Sequence, residues 1–171
     1  MKVLQRELVF DIDMDDYSEV RRCCDNGKAK RLCSRCWPFL HIAIQVIRKG
    51  LKELFGFEKV VFIFSGRRGI HCWVSDHRAR LLTSRARQAI LDFLIVPVVV
   101  SKEKLSAQPF FSDLHPFMRE VYTDILEPCF EEDILVQQGL LDDEEGQTLI
   151  LRFVPDSDIL LFSPSLPKVS E

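Results

Sequence analysis

The sequence lacks long apolar runs, internal repeats and low-complexity tracts. Because no apolar run reaches the roughly 18 residues that a bilayer-spanning helix needs, the sequence predicts no transmembrane segment. The first residues also lack the basic, apolar and small-residue order of a secretory signal, so we expect a soluble intracellular protein. The chain has 171 residues, of which 47% are apolar. This composition excludes wholesale disorder and favours one domain with a substantial core.

The formal net charge of −3 conceals a strong asymmetry. Residues 17–87 contain 16 Lys or Arg against 5 Asp or Glu, whereas residues 113–158 contain 2 against 13. The basic part suits a polyanionic partner, although the sequence pI of about 5.8 is well below that typical of autonomous nucleic-acid-binding domains. A solvated helix face explains the basic residues equally well.

Apolar periodicity predicts a mixed α/β protein. Residues 4–13 form a predicted strand that ends in an acidic run. From Trp37, apolar residues recur in steps of three and four, which predicts an amphipathic helix ending near Gly56. The runs 59–64 and 70–74 flank five residues with two glycines and predict a β-hairpin. The predicted helical stripe consists of Trp37, Leu40, Ile44, Ile47, Leu51 and Leu54.

The patterns after residue 75 are weaker. Ser75 and Asp76 are predicted to cap a helix that carries an apolar stripe over residues 82–93. Residues 95–100, broken by Pro97, predict an edge strand or an extended link. Residues 115–130 predict a helix opening at Pro116 and disturbed by Pro128, and residues 142–146 an exposed acidic turn. The basic residues elsewhere on the helix after Asp76 are Arg78, Arg85 and Arg87.

Four cysteines fall within fourteen positions of a polar stretch that has no helical or strand periodicity. Tetrahedral Zn²⁺ would fix such a loop. The adjacent pair is atypical of a zinc finger, so reduced, unligated thiols are the alternative, and the lack of an export signal argues against a disulfide. Cys72 and Cys129 are isolated among apolar residues and are predicted to lie in the core. The four clustered residues are Cys23, Cys24, Cys33 and Cys36.

Asp11 and Asp13 stand two positions apart at the end of the first predicted strand. Because side chains alternate along a strand, both carboxylates are expected to project from the same face. Oxygen ligands in this arrangement suit Mg²⁺ or Mn²⁺, and paired ions around a phosphate support nucleotidyl transfer. The competing interpretation is a solvated turn.

The predicted hairpin turn places Arg67 and Arg68 between two glycines, preceded by Ser65. Glycines let backbone N–H groups approach a ligand closely, and guanidinium groups bind phosphate oxygens in bidentate fashion. His71 lies on the return strand, from which it can donate to the same triphosphate. A basic turn without a ligand and a structural histidine are the alternatives.

These motifs, taken in order, resemble the catalytic small subunit of eukaryotic DNA primase. The resemblance covers roughly residues 5–95 and weakens at residues 115–117. The residues that carry it are 7–14 (Glu-Leu-Val-Phe-Asp-Ile-Asp-Met), 20–24, 33–37, 55–57 and 65–73.

The resemblance implies an archaeo-eukaryotic primase fold, with a mixed sheet, flanking helices and a zinc-stapled loop. It implies that Asp11 and Asp13 are catalytic ligands of Mg²⁺ or Mn²⁺ and that the four clustered cysteines hold structural Zn²⁺. It further implies that the triphosphate is bound by Ser65, Arg67, Arg68 and His71. The expected partners are the primase large subunit, DNA polymerase alpha, a single-stranded DNA template and ribonucleoside triphosphates, in the nucleus.

Two departures from the family pattern lead us to expect a partial or divergent member. The family has a substantial segment before the Asp-x-Asp strand, and this chain begins almost at that strand. The family's third catalytic aspartate lies in an apolar strand, whereas Asp156 and Asp158 stand beside Pro155. We expect a catalytic core over residues 1–130, with a zinc loop at 17–37, and a divergent acidic tail over 131–171 that is peripheral or partly disordered.

Three functional hypotheses result. The first is DNA-dependent synthesis of short RNA primers. The second is a catalytically inactive, zinc-binding interaction fragment derived from a primase. The third, a Mn²⁺-dependent sugar-nucleotide transferase, is disfavoured by the two-arginine turn and the cysteine loop.

Overall fold

A three-stranded antiparallel sheet lies at the centre of the fold. The computed structural model describes residues 5–18, 20–26, 32–96 and 114–151. The strands are β1 (Leu8–Asp13), β2 (Val60–Phe64) and β3 (Gly69–Val74), in the order β1-β3-β2. The predicted strand and hairpin are therefore confirmed, with β1 beginning at Leu8.

Helices flank this sheet and confirm the mixed α/β class. They are α1 (Cys23–Asn26), α2 (Trp37–Glu53), α3 (His77–Arg80) and α4 (Ser84–Leu94). A 3₁₀ turn, Met14–Tyr17, follows β1. Residues 116–136 are helical, with α-helical turns at Pro116–Val121 and Glu127–Cys129 and π-helical turns at Tyr122–Leu126 and Phe130–Val136. Helix α5 is Glu144–Leu151. Within the described ranges, no helix combines the length and apolar character needed to cross a membrane.

One face of the sheet is buried and the other is exposed. Along β1, Leu8, Phe10 and Ile12 are buried, whereas Val9 and Asp11 are exposed. The buried face packs against α2, α4 and residues 117–125, since burying one apolar sheet face against helices removes it from water. Cys72 is fully buried in this core, as predicted. Cys129 is only half-buried, so its predicted core position is wrong.

The helix predicted after Asp76 is divided into α3 and α4. Thr83, not Asp76, caps the longer helix by accepting a hydrogen bond from the Ala86 N–H at 3.2 Å. The Asp76 carboxylate instead accepts from the N–H groups of Glu58 and Lys59 and so stabilises the entry to β2. Asp76, a residue type that favours helix N-caps, thus binds the backbone of the loop before β2 instead of a helix terminus.

Two arginines expected on a basic outer surface make structural contacts. Arg78 donates to the carbonyl groups of Phe55 and Gly56 just beyond α2. The Arg87 guanidinium donates to carbonyl oxygens just before β1 and to others in and just after α3. A solvated helix face is therefore a wrong interpretation for Arg87. Its acceptors are the carbonyls of Arg6, Glu7, Ala79, Arg80 and Leu82.

Three further expectations need correction or fall outside the described residues. Trp37 and Leu54 belong to the predicted α2 stripe but are exposed, and Trp37 packs edge-on against Phe64. Leu40 and Leu51 of the stripe are buried as predicted, and the helix also buries Phe39 and Val46, which the stripe omits. The predicted acidic turn at 142–146 is in part the first turn of α5, which begins at Glu144. The link predicted at 95–100 lies largely outside the described residues, since 97–100 are not described.

Candidate metal and nucleotide site

The exposed face of β1 carries the two aspartates at its carboxyl end. The Asp11 side chain is 72% exposed and the Asp13 side chain 35% exposed. Asp11 pairs directly with His71 across the β1–β3 ladder, and its Oδ1 lies 3.3 Å from His71 Nε2. The strand thus presents two water-accessible carboxylates on one face, as the alternation predicts.

The Arg68 guanidinium bridges Asp13 and Asp15. Its Nε donates to Asp13 Oδ2 at 3.1 Å, and its Nη1 lies 2.6 Å from Asp15 Oδ2. The other Asp13 oxygen accepts from the Asp15 N–H at 2.9 Å. Asp15 was not assigned a role from the sequence. Its position two residues after Asp13 is the only sequence signal for it.

The β2–β3 turn is closed by two hydrogen bonds between its ends. The Ser65 N–H donates to the Gly69 carbonyl at 2.9 Å, and the Gly69 N–H donates to Ser65 Oγ at 3.1 Å. Gly66 has φ +83°, a left-handed conformation that glycine adopts readily. Arg67 is exposed at the tip, and the Arg68 carbonyl accepts from the Met14 N–H at 3.1 Å. The turn is therefore tied to the end of β1.

A substitution at Gly69 is expected to separate the two halves of this site. A Cβ at Gly69 would lie 2.6 Å from the Ile12 carbonyl oxygen, so β1 and β3 would have to move apart. We expect Gly69→Ala to lower the free energy of unfolding by about 2–3 kcal/mol, as measured by urea denaturation.

Gly66→Ala is the matched control in the same turn. Within the described part of the chain, its Cβ meets open space, and only the backbone strain of positive φ remains. That strain costs about 1 kcal/mol. Equal losses at the two positions would contradict the close strand contact.

The four cysteine thiols converge, and Cys23 and Cys36 pack in one buried cluster with Ile12, Met14 and Ile70. The four sulfur atoms all lie within 4.8 Å of one another. Cys36 Sγ is 3.1 Å from Cys23 Sγ and 3.6 Å from the sulfurs of Cys24 and Cys33. Because a Zn–S bond of about 2.3 Å implies sulfur–sulfur separations of about 3.8 Å in a tetrahedron, this donor set can hold zinc.

The backbone and charge around the thiols also suit a metal. Cys24 has φ +56°, a left-handed conformation that is costly for a residue with a Cβ. With this backbone, the adjacent thiols of Cys23 and Cys24 both reach Cys36. The guanidinium of Arg21 is buried, and its Nη1 lies 3.9 Å from Cys36 Sγ. A cation there offsets the net negative charge of four thiolates around a divalent ion.

The protonation of the thiols follows from their surroundings. Burial raises the pKa of Cys23 and Cys24, the latter to about 11. Burial acts in the same direction on the pKa of Cys33, but hydrogen bonds from Cys24 and from the backbone of Cys36 and Arg35 lower it to about 6. Since zinc binds thiolates, metal loading would release protons from Cys23 and Cys24.

Similarity to known proteins agrees with this geometry. A family model described as DNA primase small subunit matches residues 10–160. The chain belongs to the DNA primase small subunit family. The expected family and its mixed α/β class are thus confirmed, and the match continues well past residue 95.

Relatives within the primase small subunit family are similar over most of this chain. The Drosophila melanogaster subunit is 43% identical over 154 residues, which cover 90% of this chain and 34% of that protein. The Saccharomyces cerevisiae subunit is 40% identical over 154 residues, covering 88% and 36%. The Thermococcus kodakarensis subunit is 40% identical over 94 residues, covering 53% and 26%. The chain spans about a third of the length of the eukaryotic relatives.

Proposed function

We propose that this chain carries the metal- and triphosphate-binding half of a primase site that synthesises short RNA primers on single-stranded DNA. The observation that carries the proposal is the direct joining of the carboxylate strand to the arginine turn. Asp11 faces His71, and Asp13 is hydrogen-bonded to Arg68. Groups that bind a cation and groups that bind phosphate thus meet at one edge of the sheet.

In the proposed reaction, the 3′-hydroxyl of one ribonucleotide attacks the α-phosphorus of the next, and pyrophosphate leaves. Bound Mg²⁺ or Mn²⁺ would supply activation of the attacking oxygen and neutralisation of the departing charge. Asp11 and Asp13 would hold the divalent ions through their water-accessible carboxylates. These two side chains are the proposed catalytic residues.

The turn residues bind the triphosphate in this proposal. Arg68 pairs with the Asp13 and Asp15 carboxylates in the free chain and would bind phosphate oxygens in their place, since a guanidinium fits either kind of oxygen pair. Arg67 reaches the phosphates from the exposed tip. Ser65 Oγ already accepts from Gly69, so its hydroxyl proton remains available to donate to phosphate. His71 donates from the adjacent strand position.

Zinc has a structural role in this proposal. Cys23, Cys24, Cys33 and Cys36 hold it and fix the loop that precedes α2. The proposed macromolecular partners are a primase large subunit, DNA polymerase alpha and a single-stranded DNA template, and the proposed location is the nucleus. The relatives are named small subunits, which supports a large subunit as a partner. Primer synthesis requires a template, which supports single-stranded DNA.

Primer synthesis by the full chain tests the proposal. The zinc-loaded chain is incubated with single-stranded DNA, labelled ribonucleoside triphosphates and Mn²⁺, and labelled oligoribonucleotides are expected on a denaturing gel. Omission of the DNA is the control. If the folded chain binds triphosphate but makes no product, catalysis is contradicted and the interaction-fragment hypothesis is favoured.

Substitution of Arg68 tests the triphosphate contact separately. Arg68→Ala is expected to lower the affinity for a ribonucleoside triphosphate in Mn²⁺ by about 10- to 100-fold, because charged hydrogen bonds to phosphate contribute about 1.5–3 kcal/mol. Calorimetric titration measures the change. Arg85→Ala, at an exposed position on α4, removes the same charge elsewhere. Similar affinities in the two variants would contradict the assignment of Arg68.

A further inference from the structure

A segment about one hundred residues after the cysteine loop packs against that loop. Residues 134–140 span the end of the helical stretch 116–136 and pack against the cluster that contains Cys23 and Cys36. Ile134 contacts this cluster, and Leu140 is buried. The acidic second half of the sequence therefore reaches the basic loop.

Gln138 joins the two ends of that loop through its side-chain amide. Its Oε1 accepts from the Arg22 N–H at 3.0 Å and from the Cys23 N–H at 3.4 Å. Its Nε2 donates to the Arg35 carbonyl at 2.6 Å. Arg22 and Cys23 lead into the first cysteine pair, and Arg35 precedes Cys36. Gln138 is only 3% exposed, and its amide thus bridges the backbone beside both cysteine pairs.

Arg22 provides a second connection between the same two regions. Its Nη1 donates to the Gly139 carbonyl at 2.9 Å, and its Nη2 forms ion pairs with Asp143 and Glu145. The hydrogen bond from Arg22 lowers the pKa of Asp143 below its ordinary value. Gly146 keeps room for this guanidinium, because a Cβ there would overlap Arg22 Nη1 and the Leu140 carbonyl.

We propose that Gln138 is a positioning residue for the zinc site, holding the two cysteine pairs at the separation that the metal requires. This inference rests on the proposed zinc site. A loop that is already ordered loses less conformational entropy when it binds metal, and groups that orient ligands from outside the coordination shell commonly change metal affinity 10- to 100-fold. Hydrogen bonds to the backbone beside both cysteine pairs provide that order.

The test is zinc affinity of the full chain, measured by competition with a chromophoric zinc chelator. Gln138→Ala is expected to lower the affinity about tenfold. Gln137→Ala is the matched control, because Gln137 donates to Asp133 within its own helical stretch. The control is expected to bind zinc with the affinity of the original chain.

Melting temperatures in zinc and in EDTA separate positioning from general stabilisation. A residue that only stabilises the fold would lower both temperatures equally, whereas loss of positioning reduces the increment that zinc provides. If Gln138→Ala does not fold, Gln138→Glu replaces it. This variant keeps the acceptor for Arg22 and Cys23 but loses the donor to Arg35, so its zinc affinity should also fall.

The outcomes are distinguishable from failure of the zinc site itself. A reduced affinity and a reduced zinc increment in the Gln138 variants, with an unchanged Gln137 variant, support the inference. Unchanged affinity in the folded Gln138 variants overturns it while the zinc site stands. If the original chain binds no zinc, both the zinc site and the role of Gln138 are overturned.

Discussion

Asp11→Asn and Asp13→Asn are each expected to abolish Mn²⁺-dependent binding of a ribonucleoside triphosphate. Asparagine keeps the shape of the side chain but removes the negative charge that a hard divalent cation prefers. Both side chains are accessible to water on the exposed sheet face, so the loss concerns the ligand rather than the core. Calorimetric titration in Mn²⁺ should show at least about a 100-fold weaker affinity, because both the metal contact and its effect on phosphate charge are lost.

Asp16→Asn is the matched control for these variants. Asp16 is exposed in the 3₁₀ turn that follows β1, and it carries the same charge a few residues from the site. Its replacement should leave triphosphate affinity within about twofold, since exposed charges are screened by salt. Retained metal-dependent binding in the Asp11 and Asp13 variants would contradict the metal assignment.

Cys33→Ser is expected to lower zinc content and stability together. The substitution removes one of the four sulfur donors. Two of the other donors, Cys23 and Cys36, are buried and pack against residues of α2, so loss of the metal would also weaken this packing. Loss of a structural metal is among the few single changes that cost about 4 kcal/mol or more. Urea denaturation of the zinc-loaded chain measures this loss, and atomic absorption measures the zinc content.

Cys129→Ser provides the same substitution outside the cluster. Cys129 is half-buried in the helical stretch 116–136, far along the chain from the four thiols. This control should keep its zinc and lose at most about 1 kcal/mol. A Cys33 variant that is as stable and as rich in zinc as this control would contradict the structural metal site.

The carboxylate pair could be predicted because strand alternation is a local property. Asp11 and Asp13 are two residues apart, so a single strand assignment places them on one face, and the structure agrees. The hairpin that carries Arg67 and Arg68 was equally local. The pairing of Arg68 with Asp15 was not predicted, because it depends on the register between β1 and β3.

Contacts between segments that are distant along the chain could not be predicted from local sequence patterns. Gln138 meets Arg22 across 116 positions. Arg22 lies in the segment 20–24 that carries the family resemblance, but nothing in that segment predicts Gln138 as its partner. Aspartate is a common helix-capping residue, yet Asp76 binds the backbone before β2, and Thr83 caps α4. Local propensity predicted that capping residues occur here but could not determine which backbone each side chain would reach.

Calorimetric titration of the zinc-loaded chain with a ribonucleoside triphosphate tests the central claim most directly. The titration is made in Mn²⁺ and repeated in EDTA, with folding checked by circular dichroism in both. The account predicts binding in Mn²⁺ that disappears in EDTA, because Asp11 and Asp13 act through the metal while the arginine turn contacts the phosphates. No metal-dependent binding by a folded, zinc-containing chain would contradict the proposed nucleotide site.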